Sequence, residues 1–153
     1  MDLTKMLADQ KKLDEEIFKN AGIKKYPLEN IKLALLVELG ELANEDKTFK
    51  YWKKHKEVNR ERLLDEFADC LHFSLSLENH LHQQCCDGFG FTEISNDFIV
   101  NLFNDTFKKV CDLEDVLDNV ISLGLAIGIP IDEMENCYYK KHKENYKRQQ
   151  EGY

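Results

Sequence analysis

Two pairs of acidic residues stand inside apolar stretches of the sequence. Glu38 and Glu41 follow the apolar run 31–37. Glu66 and Asp69 lie within the segment LLDEFADCLHF. Residues three apart share one face of an α-helix, so each pair can direct two carboxylates to the same side. Clustered carboxylates away from water are costly, because desolvation and mutual repulsion disfavour their charged forms. The spacing therefore predicts that a cation meets these four side chains.

The ligand types narrow the choice of cation. Carboxylate oxygens without cysteine favour hard divalent ions, magnesium or manganese, over zinc. A solvated acidic face is the common alternative for one such pair, and two pairs on two apolar helices weaken it. A ferritin-like di-iron site needs two acid-x-x-His motifs, and the helical core offers only Asp69 with His72. Residues 80–86, HLHQQCC, are a weak zinc candidate, because their HxH spacing does not keep both rings on one helical face.

A cationic segment closes the sequence. The chain has a net charge of −8, yet residues 138–153 contain five Lys/Arg and two Glu. Within this segment Lys141, Asn145 and Arg148 recur at i, i+4 and i+7, so they share one helical face. Beside a metal cluster, such a face suits polyphosphate, whose oxygens bind both metal ions and cationic side chains. The alternative is a solvated C-terminal helix whose lysines favour the helix dipole.

Helices must position all of these residues. Apolar residues recur at helical spacing and no segment alternates convincingly with a period of two, which predicts an all-α bundle of about six helices. The first five expected helices cover about 2–20, 30–45, 59–84, 95–110 and 113–127. Asn59 is a good N-cap, and Asp132 with Glu135 resembles a capping box that opens the sixth helix. The length of 153 residues predicts a single domain, 1–153.

Composition limits the compartment and the partners. The chain has no run of about 18 apolar residues, so we expect no membrane-spanning segment, and its N-terminus lacks the apolar core of a signal peptide. The five cysteines include no CxxC pair, which fits reduced thiols better than a disulfide framework. We therefore expect a cytoplasmic protein, and the acidic net charge argues against general nucleic-acid binding.

Four short segments follow one another along the chain: ELGE, FKYWKK, DEFAD and KHKENYKRQQEGY. In this order they resemble the dimeric all-α dUTP diphosphatases, within the MazG-like nucleoside triphosphate pyrophosphatase group. ELGE and DEFAD resemble that family's ExxE and ExxD metal motifs, and FKYWKK resembles its Lys/Trp-rich loop. The last resembles its K-x3-N-x2-R-x3-GY motif from Lys141 to Tyr153. The resemblance covers most of the chain and is weakest in the fourth and fifth helices.

The resemblance implies a metal-dependent hydrolysis of dUTP, or also of dUDP, with dUMP and pyrophosphate as the products of dUTP cleavage. In such an enzyme the four acidic side chains hold Mg²⁺, or Mn²⁺, on the triphosphate, and Glu38 also takes the proton of the attacking water. The C-terminal face binds phosphate oxygens. The residues implied are Glu38, Glu41, Glu66 and Asp69 for the metal, and Lys141, Asn145 and Arg148 for phosphate.

The same resemblance implies a set of nucleoside-binding residues. Gln10 takes the place of a glutamine that reads the uracil edge, which an amide can do because it both donates and accepts. Phe73 packs on the deoxyribose, and Asp69 also reaches the 3′-hydroxyl. Trp52 walls the uracil pocket, and Tyr153 completes the nucleoside set. One departure stands out, because Leu13-Asp14 occupies a stretch where much of the family has an asparagine.

Two other functions remain open at this point. A related pyrophosphatase could keep the acids and cleave dCTP or another nucleoside triphosphate, and a helical interaction protein would have no magnesium-dependent turnover. The resemblance also implies a homodimer. Six bulky apolar residues of the fourth and fifth helices exceed the needs of a lone core and are candidates for its interface: Phe98, Phe103, Phe107, Leu117, Ile121 and Leu125.

Overall fold

The computed structural model describes residues 1–81 and 94–152, and these form six α-helices. Within the described ranges no residue belongs to a β-strand, so the predicted all-α class is confirmed. The helices are α1 (Leu3–Asn20), α2 (Leu28–Asp46), α3 (Arg60–Leu81), α4 (Asn96–Asp112), α5 (Val116–Ala126) and α6 (Ile131–Gln150). The expected end of the third helix near Gln84 and the candidate ligands His82, Cys85 and Cys86 lie outside the described residues.

Side chains begin several of these helices as the sequence suggests. The Asn59 Oδ1 accepts the Arg62 N–H at 3.2 Å, which confirms Asn59 as the N-cap of α3. Ser95 caps α4 by accepting the N–H of Phe98 at 3.2 Å. These caps satisfy backbone donors that have no partner inside the helix, and so they fix where α3 and α4 begin.

Two helix starts differ from the prediction. The predicted capping box at Asp132 is wrong. α6 begins at Ile131, and Pro130 before it makes no side-chain capping hydrogen bond. Asp132 therefore already has helical backbone. The expected start of α5 at 113 is also wrong. Leu113 and Asp115 take positive φ values of 59° and 46°, a left-handed conformation that excludes both from the helix. α5 therefore begins at Val116.

α3 lies at the centre of the bundle and packs against α1, α2, α5 and α6. Its closest approach to α5 depends on a glycine. A Cβ at Gly124 would lie 2.5 Å from the Phe67 ring and 2.7 Å from the Met134 Cε. Because a side chain at position 124 would displace Phe67, glycine allows α3 to sit against α5 and fixes the helix that carries Glu66 and Asp69.

The apolar residues expected at a subunit interface divide into two groups. Leu117 and Ile121 are fully buried within the chain and Phe103 is nearly so, and all three belong to its core; for them the expectation is wrong. Phe98, Phe107 and Leu125 are half-buried. The exposed apolar side chains of the bundle include Leu33 (62% exposed) and Val37 (50%), both on α2. None of the described helices is long and apolar enough to cross a membrane.

Candidate functional site

The two acidic pairs meet between α2 and α3. One carboxylate oxygen from each of Glu38, Glu66 and Asp69 lies within 4.8 Å of the others, and all three side chains are half-buried. Glu41 is exposed and hydrogen-bonds to Glu66. The helical spacing thus brings three of the four predicted carboxylates together between two packed helices, and Glu41 lies beside Glu66 outside this group.

The cluster is electrostatically unfavourable without a cation. Burial, together with the charges of Asp69, Glu41 and Glu66, raises the pKa of Glu38 to about 7. Burial also raises the pKa of Glu66, with Glu41 as the next cause. Three oxygens this close can share one divalent ion, whose ligands lie about 2.0–2.6 Å away. The all-oxygen donor set therefore fits magnesium or manganese.

Lys141 of α6 supplies positive charge at one side of the cluster. Its side chain is buried, and its Nζ lies 2.7 Å from the Asp69 Oδ2 and 3.0 Å from the Asp65 Oδ1. Burial lowers the pKa of Lys141, but the hydrogen bonds to Asp69 and Asp65 outweigh that effect and leave the pKa raised. The ammonium therefore stays charged. Asp65 was not predicted as part of this site, although it precedes Asp69 by one helical turn.

A groove of about 480 Å³ runs from the acidic cluster between α1, α2, α3 and α6. It brings together Glu38 and Asp69 at one end with most of the residues expected to bind phosphate and nucleoside. Those residues are Gln10, Phe73, Asn145 and Arg148. The shared helical face of α6 is therefore directed into the same space as the acidic pairs.

Gln10 occupies the wall of this groove and is only 3% exposed. Its Oε1 lies 2.7 Å from the His72 Nδ1 and accepts the Tyr138 hydroxyl at 3.2 Å. Its Nε2 donates to the Asp14 Oδ1 at 2.8 Å. Burial lowers the pKa of His72 to about 3, so the imidazole is neutral. The amide of Gln10 is thus held at both ends.

Asp14 lines the groove beside Gln10. Burial raises the pKa of its carboxyl group to about 6, against the lowering effect of hydrogen bonds from Ser76 and Gln10. Neither Asp14 nor His72 was predicted to line the groove, and Asp14 stood out in the sequence only as a departure from the family. The available signal was spacing, because Asp14 follows Gln10 by one turn on α1 and His72 follows Asp69 by one turn on α3.

Two expected nucleoside-binding residues are not placed in the groove. Trp52 lies in the α2–α3 connection, is 59% exposed, and packs edge-on against Phe49 and Tyr51. Trp52 is not among the residues that line the groove in the described part of the chain. Tyr153 lies outside the described residues. The roles of both residues stay predictions.

A family model described as dUTPase matches residues 2–153, and so covers all six helices and every candidate residue of the groove. A search of curated proteins finds no match for the chain. The family match depends on the sequence along the chain, whereas the acidic cluster and the groove are defined by distances between side chains.

Proposed function

The chain belongs to the all-α dUTPase family, whose members are nucleoside triphosphate pyrophosphohydrolases that act on dUTP, and from this premise we propose how its groove performs the reaction. A magnesium cluster held by the two acidic pairs would bind the triphosphate, and the rest of the groove would bind the nucleoside. The observation that carries this proposal is the set of three carboxylate oxygens within 4.8 Å at the end of the groove. The metal-binding residues would be Glu38, Glu41, Glu66 and Asp69.

Glu38 is the carboxylate best placed to take a proton from the attacking water. Glu38 and Asp69 both belong to the acidic cluster and to the groove lining, but Asp69 is bound to Lys141. Glu66 lies against Glu41 and does not line the groove. When bound, Mg²⁺, or Mn²⁺, would neutralise phosphate oxygens and lower the pKa of an attacking water. A carboxylate beside that water can then accept its proton at neutral pH.

The C-terminal helix would bind the phosphate groups. Asn145 and Arg148 line the groove one and two turns beyond Lys141 on the same face of α6. Charge-assisted hydrogen bonds from Lys141 and Arg148 would offset the negative charge that develops on the phosphate oxygens. The products would be dUMP and pyrophosphate.

The nucleoside would lie deeper in the groove, towards α1. Gln10 would contact the base, Phe73 would pack against the deoxyribose, and Asp69 would also reach the 3′-hydroxyl. Trp52 and Tyr153 would complete the pocket. We also propose that the enzyme is a homodimer, and exposed Leu33 and Val37 on α2 support an apolar surface for a second copy. Light scattering that gives the mass of one chain would contradict the dimer.

Hydrolysis of dCTP is the second candidate activity. Asp14 hydrogen-bonds to Gln10 beside the expected base site, in a stretch where much of the family has an asparagine. A carboxyl group and an amide offer a base different donors and acceptors. The carboxyl group at position 14 is therefore the observation that favours a second base.

A nucleotide panel tests the activity directly. Pyrophosphate release would be measured at pH 8 for dUTP, dCTP, dATP, dGTP and dTTP, and phosphate release for dUDP, each with and without Mg²⁺. We expect magnesium-dependent release that is fastest with dUTP. Equal rates for dUTP and dCTP would contradict the uracil preference. The absence of any magnesium-dependent release would contradict the enzyme and favour a helical interaction protein.

A further inference from the structure

We propose that Asp14 determines which pyrimidine the groove accepts: its ionised carboxylate selects uracil, and its protonated form selects cytosine. This inference rests on the proposed function in one respect, because it takes the groove beside Gln10 as the nucleoside pocket. It concerns this chain in particular, since it depends on a carboxyl group at position 14.

The hydrogen-bond network fixes the orientation of the Gln10 amide. The Tyr138 hydroxyl lies 3.2 Å from both the Gln10 Oε1 and the Met6 carbonyl oxygen. The His72 Nδ1 lies 2.7 Å from the Gln10 Oε1 and its Nε2 lies 3.3 Å from the Tyr138 carbonyl oxygen. The neutral ring has one N–H, and the shorter distance favours its placement on Nδ1, as a donor to Gln10. The Gln10 Nε2 then faces Asp14 and donates one hydrogen to its Oδ1 at 2.8 Å. The second Nε2 hydrogen is the donor that Gln10 can offer to a base.

Asp14 supplies a second hydrogen-bonding group beside the Gln10 donor. An ionised carboxylate only accepts hydrogen bonds, whereas a protonated carboxyl group also donates one. Its Oδ1 is already engaged by Gln10 and it also hydrogen-bonds to Ser76, but a carboxylate has about four acceptor sites and can still meet a ligand. The groove therefore presents a donor from Gln10 beside an acceptor or a donor from Asp14.

These two patterns match two different bases. Uracil carries a carbonyl oxygen next to N3–H, so its acceptor and donor meet the Gln10 donor and the ionised Asp14. At its O2–N3 edge cytosine offers two acceptors, O2 and the unprotonated N3, while its 4-amino donor lies on the other side of N3. Read at this edge, cytosine needs a donor from Asp14. An ionised carboxylate facing the cytosine N3 would place two acceptors against each other, and such an unmade buried hydrogen bond is strongly unfavourable.

Both protonation states are accessible near neutral pH, because burial raises the pKa of Asp14 to about 6. His72 and Tyr26 do not titrate in this range, since burial lowers the pKa of the first to about 3 and raises that of the second to about 12. Other titratable or charged groups line the groove or the adjoining recess, and they are Lys11, Glu15, Glu38, Asp69, His80 and Arg148.

The test compares two ligands that differ only in the base. The affinities of dUMP and dCMP would be measured by titration calorimetry between about pH 5.5 and pH 8, without turnover. Groups that both ligands meet in the same way, and the phosphate that both carry, cancel in the ratio of the two affinities. We expect a preference for dUMP at pH 8 that falls by about tenfold or more at pH 5.5. A ratio that stays constant across this range would overturn the inference.

Substitution of Asp14 provides the matched variant. In Asp14→Asn the side chain no longer titrates, and its amide can turn either its oxygen or its nitrogen towards the base. We therefore expect the dUMP-to-dCMP affinity ratio of this variant to be the same at pH 5.5 and at pH 8. Glu16→Gln, which removes a carboxylate on the same helix outside the groove lining, should keep the wild-type ratio and its slope.

The outcomes separate this inference from the proposed function. A protein that hydrolyses dUTP but keeps the wild-type pH dependence of the ratio in Asp14→Asn contradicts only the role of Asp14. A protein that shows the expected ratios without magnesium-dependent hydrolysis contradicts only the catalytic proposal. If Asp14→Asn fails to fold, which circular dichroism would show, the pH dependence of the wild-type ratio still decides the question.

Discussion

The Nζ of Lys141 lies 2.7 Å from the Oδ2 of Asp69, so a buried ammonium on α6 already contacts the acidic cluster built by α2 and α3. Asp65 holds the same ammonium from the other side at 3.0 Å. This ion pair joins the surface expected to bind phosphate to the surface expected to bind metal, and it orients Lys141 before any substrate arrives.

Replacing Lys141 should impair turnover far more than folding. In Lys141→Met we expect kcat for dUTP to fall by about 100- to 1,000-fold, because the variant lacks a preorganised charge beside the phosphate groups. Lys140→Met is the control, since Lys140 is mostly exposed and pairs loosely with Glu61 at 3.7 Å. Steady-state pyrophosphate release measures both variants. Equal losses in the two would show that Lys141 has no special role.

Removing one cluster carboxylate should abolish the response to magnesium. A ligand that binds only the folded state raises the melting temperature, so Mg²⁺ should stabilise the wild type and have little effect on Glu66→Gln. The same variant should lose turnover by orders of magnitude while its helical circular dichroism is retained. Glu61→Gln alters an exposed carboxylate on the same helix and should respond to Mg²⁺ like the wild type. A full magnesium response in Glu66→Gln would contradict the proposed metal site.

Glu78 should make the stability of the protein depend on pH. It is 5% exposed on α3, and its Oε1 has no hydrogen-bond partner within the part of the chain that the structure describes. Burial raises its pKa from 4.5 to about 7, with Asp118 and Asp115 as further causes. A raised pKa in the folded state gives stability that is present below pH 4.5 and lost as the pH rises through about 7.

Glu78→Gln should therefore stabilise the protein at high pH only. We expect its free energy of unfolding to exceed that of the wild type by about 1–2 kcal/mol at pH 8, and to equal or fall below it at pH 4.5. Urea denaturation at the two pH values measures this difference. Glu57→Gln, at an exposed position of the α2–α3 connection, is the control and should change neither value. A Glu78→Gln variant that is less stable at pH 8 would refute the explanation.

The contact at Gly124 predicts a cost for any larger residue. In Gly124→Ala the added Cβ would lie 2.5 Å from the Phe67 ring, so the ring and α3 must shift. We expect a loss of about 1–3 kcal/mol in the free energy of unfolding, as is usual for overpacked cores. Ser122→Ala on the same helix should change stability by less than about 0.5 kcal/mol. Thermal denaturation of both variants measures the difference, and equal stability would show that the core adapts without cost.

Local pattern was sufficient for much of the fold and of the site. The i, i+3 spacing of the acids and the i, i+4, i+7 spacing on α6 each place residues on a helical face, and the structure directs those faces into one groove. Asn59 as a cap also depends on local chemistry alone. These features are readable because the helix period fixes which neighbouring residues point the same way.

Contacts between distant segments could not be predicted from the sequence in the same way. Gln10 meets His72 and Tyr138, which are 62 and 128 residues away along the chain, and no periodicity relates such positions. The burial of Leu117 and Ile121 also depends on how α5 packs against α3, so the number of bulky residues could not decide whether they face a partner or the core. The left-handed backbone at Leu113 and Asp115 has no signal in residue type, because neither is a glycine.

One continuous helix carries both ends of the groove. Glu66 and Asp69 lie at the end expected to bind phosphate and Phe73 and Ser76 towards the end expected to bind the base, and ten residues of α3 separate Glu66 from Ser76, about 15 Å along the axis. A single rigid helix would therefore set the distance between the two expected subsites, and we expect substitutions at the base end to leave the acidic end undisturbed. An insertion of one residue between Asp69 and Phe73 would turn the two ends by about 100° relative to each other, so this segment can vary in sequence far more freely than in length.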